Sequence, residues 1–180
     1  MTEHIALFGK GGVGTSTLAS SISAALVEAG FRILQIGCSL KGDSSSILRG
    51  GYSIPTVWEH YEKFGTITFD TVVQRGFKDT CCIELGRPQL EQGSSGLIAA
   101  LDLLQKQNLL SALAPDFVLY DISGDQAYGV IAALCEKVGL QRIYAVTTAD
   151  FKSLAAVNSI MEQFIRCQIR RCSFHGVPPV

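Results

Sequence analysis

The sequence predicts an α/β domain, a mostly parallel sheet flanked by helices on both faces. Short apolar runs that end in Gly, Ser or Asp alternate with longer segments of helical period, which is the pattern of strand–helix–strand units. The first run, Ile5-Ala6-Leu7-Phe8, leads directly into a glycine-rich turn, Gly9-Lys10-Gly11-Gly12-Val13-Gly14-Thr15-Ser16-Thr17. No repeat, linker or low-complexity tract divides the 180 residues, a length that fits one domain (1–180) with an ample core.

Strands are expected at 5–8, 33–36, 117–120 and 142–147, each a β-rich or apolar run closed by a turn residue. Residues 16–29 read as a helix with Leu18, Ile22, Ala25, Leu26 and Ala29 on one face, stopped by Gly30. A second helix is expected over 96–113 on Leu97, Ala100, Leu101, Leu104 and Leu110, and a third over 151–169 on Leu154, Val157, Met161, Phe164 and Ile165. Residues 50–93 are less regular: Trp58, Tyr61 and Phe64 mark a short packed helix, 66–73 fits neither period, and 81–84 fits a small strand. After residue 169 the sequence reads as the start of a further strand. A complete domain of this kind would continue, so the fold is expected to be cut short at its C-terminal end with an open sheet edge.

Composition narrows the function. A net charge of −1 with mixed signs offers no basic stripe for nucleic acid. Apolar residues make up 47% of the chain, yet runs such as Gly129-Val130-Ile131-Ala132-Ala133-Leu134-Cys135 stop well short of the about 20 residues a membrane span needs. With no secretory leader before the turn at residue 9, the expected location is cytoplasmic. The six cysteines (Cys38, Cys81, Cys82, Cys135, Cys167, Cys172) lack metal-site spacing and read as reduced, buried, small apolar residues.

The glycine-rich turn carries the chemistry. It fits G-x-x-x-x-G-K-[ST] except that Thr15 stands where the lysine belongs. Glycines allow successive backbone N–H groups to face one concavity, and the helix that follows adds the positive end of its dipole, so an anion is favoured there. Ser16 can offer a hydroxyl to Mg²⁺. The absent ammonium removes a charge-assisted hydrogen bond worth about 1.5–3 kcal/mol, on the order of ten- to a hundredfold in affinity.

Lys10, directly after the first glycine, is similar to the lysine that marks deviant phosphate loops in the family of nitrogenase iron proteins, MinD and ParA. The whole chain resembles the nitrogenase iron protein and its relatives in chlorophyll and corrin-type reductions. Beyond the loop, Gly37-Cys38-Ser39-Leu40-Lys41-Gly42-Asp43-Ser44 resembles the family's switch I, G-C-D-P-K-A-D-S, with Lys41 and Asp43 kept and Ser39 in place of an aspartate. Tyr120-Asp121-Ile122-Ser123-Gly124-Asp125 resembles switch II, Y-D-V-L-G-D, and 82–88 with 96–104 resembles the approach to the cluster-bearing loop.

The resemblance implies a P-loop NTPase-like fold that holds Mg-ATP or Mg-ADP. Gly9, Lys10, Gly11, Gly12, Val13, Gly14, Thr15, Ser16, Thr17 and Lys41 would bind nucleotide, with Ser16 and Asp43 on the metal. Asp125 would sense the outer phosphate, and Lys10 would reach across a dimer; these two are the candidate catalytic residues. The family's subunits each give two cysteines to a shared [4Fe–4S] cluster. Here 91–96 reads Glu-Gln-Gly-Ser-Ser-Gly and Tyr128 occupies the second position, so no iron–sulfur ligands and no cluster are expected. The chain therefore reads as a degenerate relative with weak or conditional Mg-nucleotide binding, working as a homodimer or by docking on a larger reductase-type partner. A slow ATPase using Lys10 in trans and a nucleotide-free interaction module are the alternatives.

Overall fold

The computed structural model describes residues 2–88, 94–108, 112–166 and 173–176. The chain runs β1 (Glu3–Gly9), α1 (Thr15–Glu28), β2 (Ile33–Cys38), a 3₁₀ turn (Ile47–Arg49), α2 (Val57–Phe64), α3 (Phe69–Val72) and β3 (Gln74–Arg75). A second 3₁₀ turn (Phe77–Asp79) precedes β4 (Cys81–Glu84), α4 (Ser95–Lys106), β5 (Phe117–Ser123), α5 (Ala127–Lys137), β6 (Arg142–Val146), α6 (Phe151–Arg166) and β7 (Ser173–Gly176). The strands form one sheet in the order β3-β4-β2-β5-β1-β6-β7, parallel throughout except for the β3–β4 pair.

The register aligns the carboxyl ends of the central strands. Gly9 lies opposite Ser123 and Val146, and Gly37 lies opposite Asp121 and Glu84. The turns leaving β1, β2 and β5 therefore share one edge, where open α/β sheets bind their ligands.

Strand alternation divides the core into layers. Phe8, Ile36, Ile83, Tyr120, Leu97, Val130 and Phe164 cluster on the side of α2, α4, α5 and α6, whereas Leu7, Ile33, Leu119 and Val146 pack with Ala19 of α1. Cys81 belongs to the first layer, while its neighbour Cys82 joins Leu48 and Ile54 in a third cluster. Phe164 meets Phe8 edge-on at 6.2 Å between centroids and lies 5.7 Å from Tyr128. In the irregular region, Thr56 caps α2 with a reciprocal Thr56–Glu59 box, and Trp58 Nε1 donates to the Gly96 carbonyl at 2.7 Å.

Several expected faces are corrected. In α1, Leu18, Ile22 and Leu26 pack against the core as expected, but the most buried residues are Ala19, Ser20 and Ser23, while Ala25 and Ala29 are exposed. The helix turns a polar strip inward because a buried amide lies beneath it, described below. On α6, Phe164 and Ser153 are buried, but Leu154 and Ile165 lie on the exposed side. Cys135 is only partly buried, unlike Cys38, Cys81 and Cys82. The expected helix over 96–113 spans Ser95–Lys106; residues 109–111, with Leu110, lie outside the described residues, as do Cys167 and Cys172.

Candidate functional site

At the carboxyl edge of the sheet the loops enclose a cavity of about 540 Å³. Its walls come from the glycine-rich turn (Gly9 to Gly12 and Gly14 to Thr17), from Ser39, Leu40, Lys41 and Asp43 after β2, and from the stretch Asp121 to Asp125 after β5. Segments far apart in sequence thus converge because their strands β1, β2 and β5 are neighbours.

The turn is shaped by backbone conformations that favour glycine: φ is +88° at Gly12 and +92° at Gly14, the residue that precedes α1. The start of α1 has no side-chain cap and no acidic residue in its first turn, so its N–H groups are left for an anion. Gly124 fits for a different reason: a Cβ there would stand 2.5 Å from the Gly9 carbonyl oxygen. The loop after β5 therefore lies directly on the phosphate-loop backbone.

Thr15 does not substitute for the missing lysine by reaching outward. Its Oγ1 is buried with no hydrogen-bond partner among the described residues, and it lies against Gly9, where a Cβ would come within 2.7 Å of it. Val13, read from sequence with the nucleotide-binding residues, sends its side chain to the α1 layer, and its N–H donates to the Lys10 carbonyl at 3.2 Å.

Acidic groups gather on the opposite wall. Asp121 is 4% exposed and accepts from Ser44 Oγ at 2.5 Å and from Ser16. Burial raises its carboxyl above the usual range against the pull of those hydrogen bonds, and the nearby Asp43 charge adds to the rise. Asp125 accepts from Gln126 Nε2 at 3.1 Å.

Two further carboxylates, not among the residues read from sequence as site residues, lie behind the cavity wall. Glu84, 1% exposed at the end of β4, lies below the loop and accepts from both the Ser45 N–H (2.7 Å) and Ser45 Oγ (2.6 Å). Burial pushes its carboxyl up to about 7, opposed by the Ser45 bonds and assisted by Asp121 and Asp43. Asp150, at the start of α6, is held well below the usual carboxylate range by bonds from Ser153 and Thr148, with the charge of Lys10 contributing. The signal for Glu84, and for Gln35 in β2, was a polar residue inside an otherwise apolar strand; Asp150 carried no comparable mark.

Among the described residues, Cys38 and Cys82 do not fit as ligands of a [4Fe–4S] group. Cys38 and Cys82 are fully buried in strands, where burial raises their thiols, to about 12 for Cys82, so neither offers a thiolate. Tyr128 packs against Phe164 in the core. Residues 91–93 lie outside the described residues; among those described, no group of three or more His, Cys, Asp or Glu side chains is placed to hold a metal ion.

Residues 3–173 match the family described as 4Fe-4S iron sulfur cluster binding proteins, NifH/frxC family. The nitrogenase iron protein of Methanospirillum hungatei is 40% identical over 168 residues, which cover 91% of this chain and 59% of that protein. The light-independent protochlorophyllide reductase iron-sulfur ATP-binding protein of Heliobacterium modesticaldum is 36% identical over 167 residues, 89% of this chain and 56% of the relative. The chain thus spans less than two thirds of the length of these curated relatives. Among solved structures, a ParA family ATPase from Chlorobium tepidum superposes with a TM-score of 0.72 at 18% identity, over 98% of this chain and 74% of that one. Cobyrinic acid a,c-diamide synthase from Mycobacterium smegmatis with bound ADP and magnesium gives 0.70 at 19% identity, over 99% and 74%. The solved structures establish the P-loop fold, and the family match with the sequence relatives establishes descent: the chain belongs to the NifH/frxC family of iron–sulfur cluster binding proteins.

Proposed function

We propose that this chain binds Mg-ADP or Mg-ATP weakly and acts through conformation and docking, without [4Fe–4S] electron transfer. The observation that carries the reading is the cavity of about 540 Å³ at the uncapped start of α1, walled by Ser16, Asp43 and Asp121 but lacking a lysine at Thr15. Backbone N–H groups of Gly11, Gly12 and Gly14 would receive the phosphates, and Ser16 and Asp43 would hold Mg²⁺ directly or through water. The metal supplies positive charge to neutralise the phosphates, which matters more where a lysine is absent. Lys10 and Lys41 line the same space, and Lys10 reaching the nucleotide of a second copy would make binding favour a homodimer. The burial of Cys38 and Cys82 and the sequence at 91–96 and Tyr128 support a role without the family's cluster, exercised as a homodimer or by docking on a larger reductase-type partner. No helix among the described residues is long and apolar enough to cross a membrane.

A slow ATPase using Lys10 in trans is the second reading, favoured by Asp125 lining the cavity and by Lys10 standing at its wall, from which it would reach a second copy. Turnover that disappears in Ser16→Ala would support it.

Titration calorimetry with Mg-ADP and Mg-ATP tests the main proposal, with Thr15→Lys as the comparison. The parent is expected to bind in the micromolar to millimolar range, and Thr15→Lys about ten- to a hundredfold more tightly. No binding by either protein refutes a nucleotide site. Binding by Thr15→Lys only would make the native chain a nucleotide-free interaction module.

A further inference from the structure

The turn at residues 43–45 brings Asp43 to the cavity, and its middle is held from inside the protein. Gln35 is fully buried in β2, with Leu119 and Cys82 as register partners on either side. An amide among such neighbours is unfavourable unless its polar atoms are paired, and here they are. Ser23 Oγ donates to Gln35 Oε1 at 2.8 Å, and Gln35 Nε2 donates to the Ser44 carbonyl (3.2 Å) and Ser44 Oγ (3.1 Å), with Ser20 Oγ also in reach at 3.4 Å. Ser20 Oγ donates to the same Ser44 carbonyl at 3.3 Å, and Ser44 Oγ passes its proton bond on to Asp121, which is bonded to Ser16. A continuous line of buried polar groups therefore joins the interior of α1 to the acidic wall of the cavity. This also explains why α1 buries Ser20 and Ser23.

We propose that Gln35 is a positioning residue of the Mg-nucleotide site: by tying Ser44 to α1 it fixes the turn bearing Asp43, and the orientation of Asp121, before any ligand arrives. An apolar residue in its place would fill the same volume but leave Ser44 tied to α1 only through the longer Ser20 Oγ bond to its carbonyl (3.3 Å), with Ser44 Oγ no longer held from the β2 side. The idea rests on the proposed Mg-nucleotide reading for its consequence, while its structural half can be measured in the free protein.

The test uses Gln35→Met, which keeps length and volume and removes the amide, and Ser23→Ala, a milder change that removes only the donor to Oε1. Hydrogen–deuterium exchange of the free chain reads the structural half. Exchange across residues 39–46 is expected to quicken by about tenfold in Gln35→Met, where both Nε2 bonds to Ser44 go but Ser20 keeps the Ser44 carbonyl, and by about threefold in Ser23→Ala, where only the Oε1 donor goes, with β5 unchanged. Unchanged exchange at 39–46, or an equal rise throughout β2 and β5, overturns the proposal.

A fluorescent N-methylanthraniloyl ADP, titrated with Mg²⁺ and separately in EDTA, reads the functional half. The Mg²⁺ concentration for half-maximal binding should rise by about tenfold in Gln35→Met with metal-free affinity unchanged. Equal loss in both conditions would overturn positioning in favour of general disruption. Should the parent bind no analogue under either condition, the nucleotide reading fails, and the exchange result by itself decides the role of Gln35.

Discussion

Replacing Glu84 by Gln should remove a pH dependence that the buried carboxyl imposes on the fold. Folding raises this carboxyl from 4.5 to about 7, so between those values the folded chain retains a proton that the unfolded chain releases. Stability from this group is full below about pH 4.5 and is lost as pH rises through about 7. The whole shift corresponds to about 3 kcal/mol, at 1.36 kcal/mol per unit, of which about 2–3 kcal/mol falls between pH 5 and pH 8. Asp121 is raised by burial and acts in the same direction. His4 acts in the other, because burial lowers its imidazole and stability falls as pH drops below about 6.5. Both remain in the variant, so the informative quantity is the difference between the two proteins. Urea unfolding in EDTA at pH 5, 6, 7 and 8 measures it. The parent should lose about 2–3 kcal/mol more than Glu84→Gln on going from pH 5 to pH 8. Parallel curves would mean that Glu84 is solvated or otherwise paired, and the account of the buried floor beneath the turn would be wrong.

Gly124→Ala forces a Cβ to within 2.5 Å of the Gly9 carbonyl oxygen, so it should destabilise the chain by about 1–3 kcal/mol and weaken Mg-ADP binding, as measured by thermal unfolding and calorimetry. Phe164→Ala removes a side chain that is 1% exposed and packed on Phe8 and Tyr128; a loss of about 3–5 kcal/mol is expected in urea unfolding.

The strands were legible because apolar runs ending in Gly, Ser or Asp are a short-range signal; β1, β2, β5 and β6 were located to within a few residues of their observed ends. The helix at Ala127–Lys137 was not delimited, since its run from Gly129 to Cys135 is apolar all round and carries no period; only packing reveals that Val130, Ile131 and Leu134 are fully buried. On α1, Leu18, Ile22 and Leu26 pack inward as expected, but Ala25 and Ala29 do not, and hydrophobicity missed Ser20 and Ser23, which are buried to serve Gln35 through a contact between elements that no local pattern encodes. The motif residues of the site were legible through the glycine spacing and the two switch-like segments, and apart from the Val13 side chain they border one cavity. Glu84 and Gln35 showed only as polar residues in apolar strands, their roles being set by Ser45 for Glu84 and by Ser23 and Ser44 for Gln35, while Asp150 is held by its neighbours Ser153 and Thr148 and only the fold brings it near Lys10.

Cys81 and Cys82 are adjacent in β4 yet belong to different layers, Cys81 with the helix-rich side and Cys82 with Leu48 and Ile54. Alternation along the strand holds the two sulfurs on opposite faces of the sheet, so these neighbours report on separate regions. Alkylation of Cys81 requires release of its sulfur from Arg75 and the Phe77–Asp79 turn, and alkylation of Cys82 requires the 3₁₀ turn at Ile47–Arg49 to lift away. The two thiols thus time two different local openings, one at the β3–β4 edge and one beneath the Ile47–Arg49 turn.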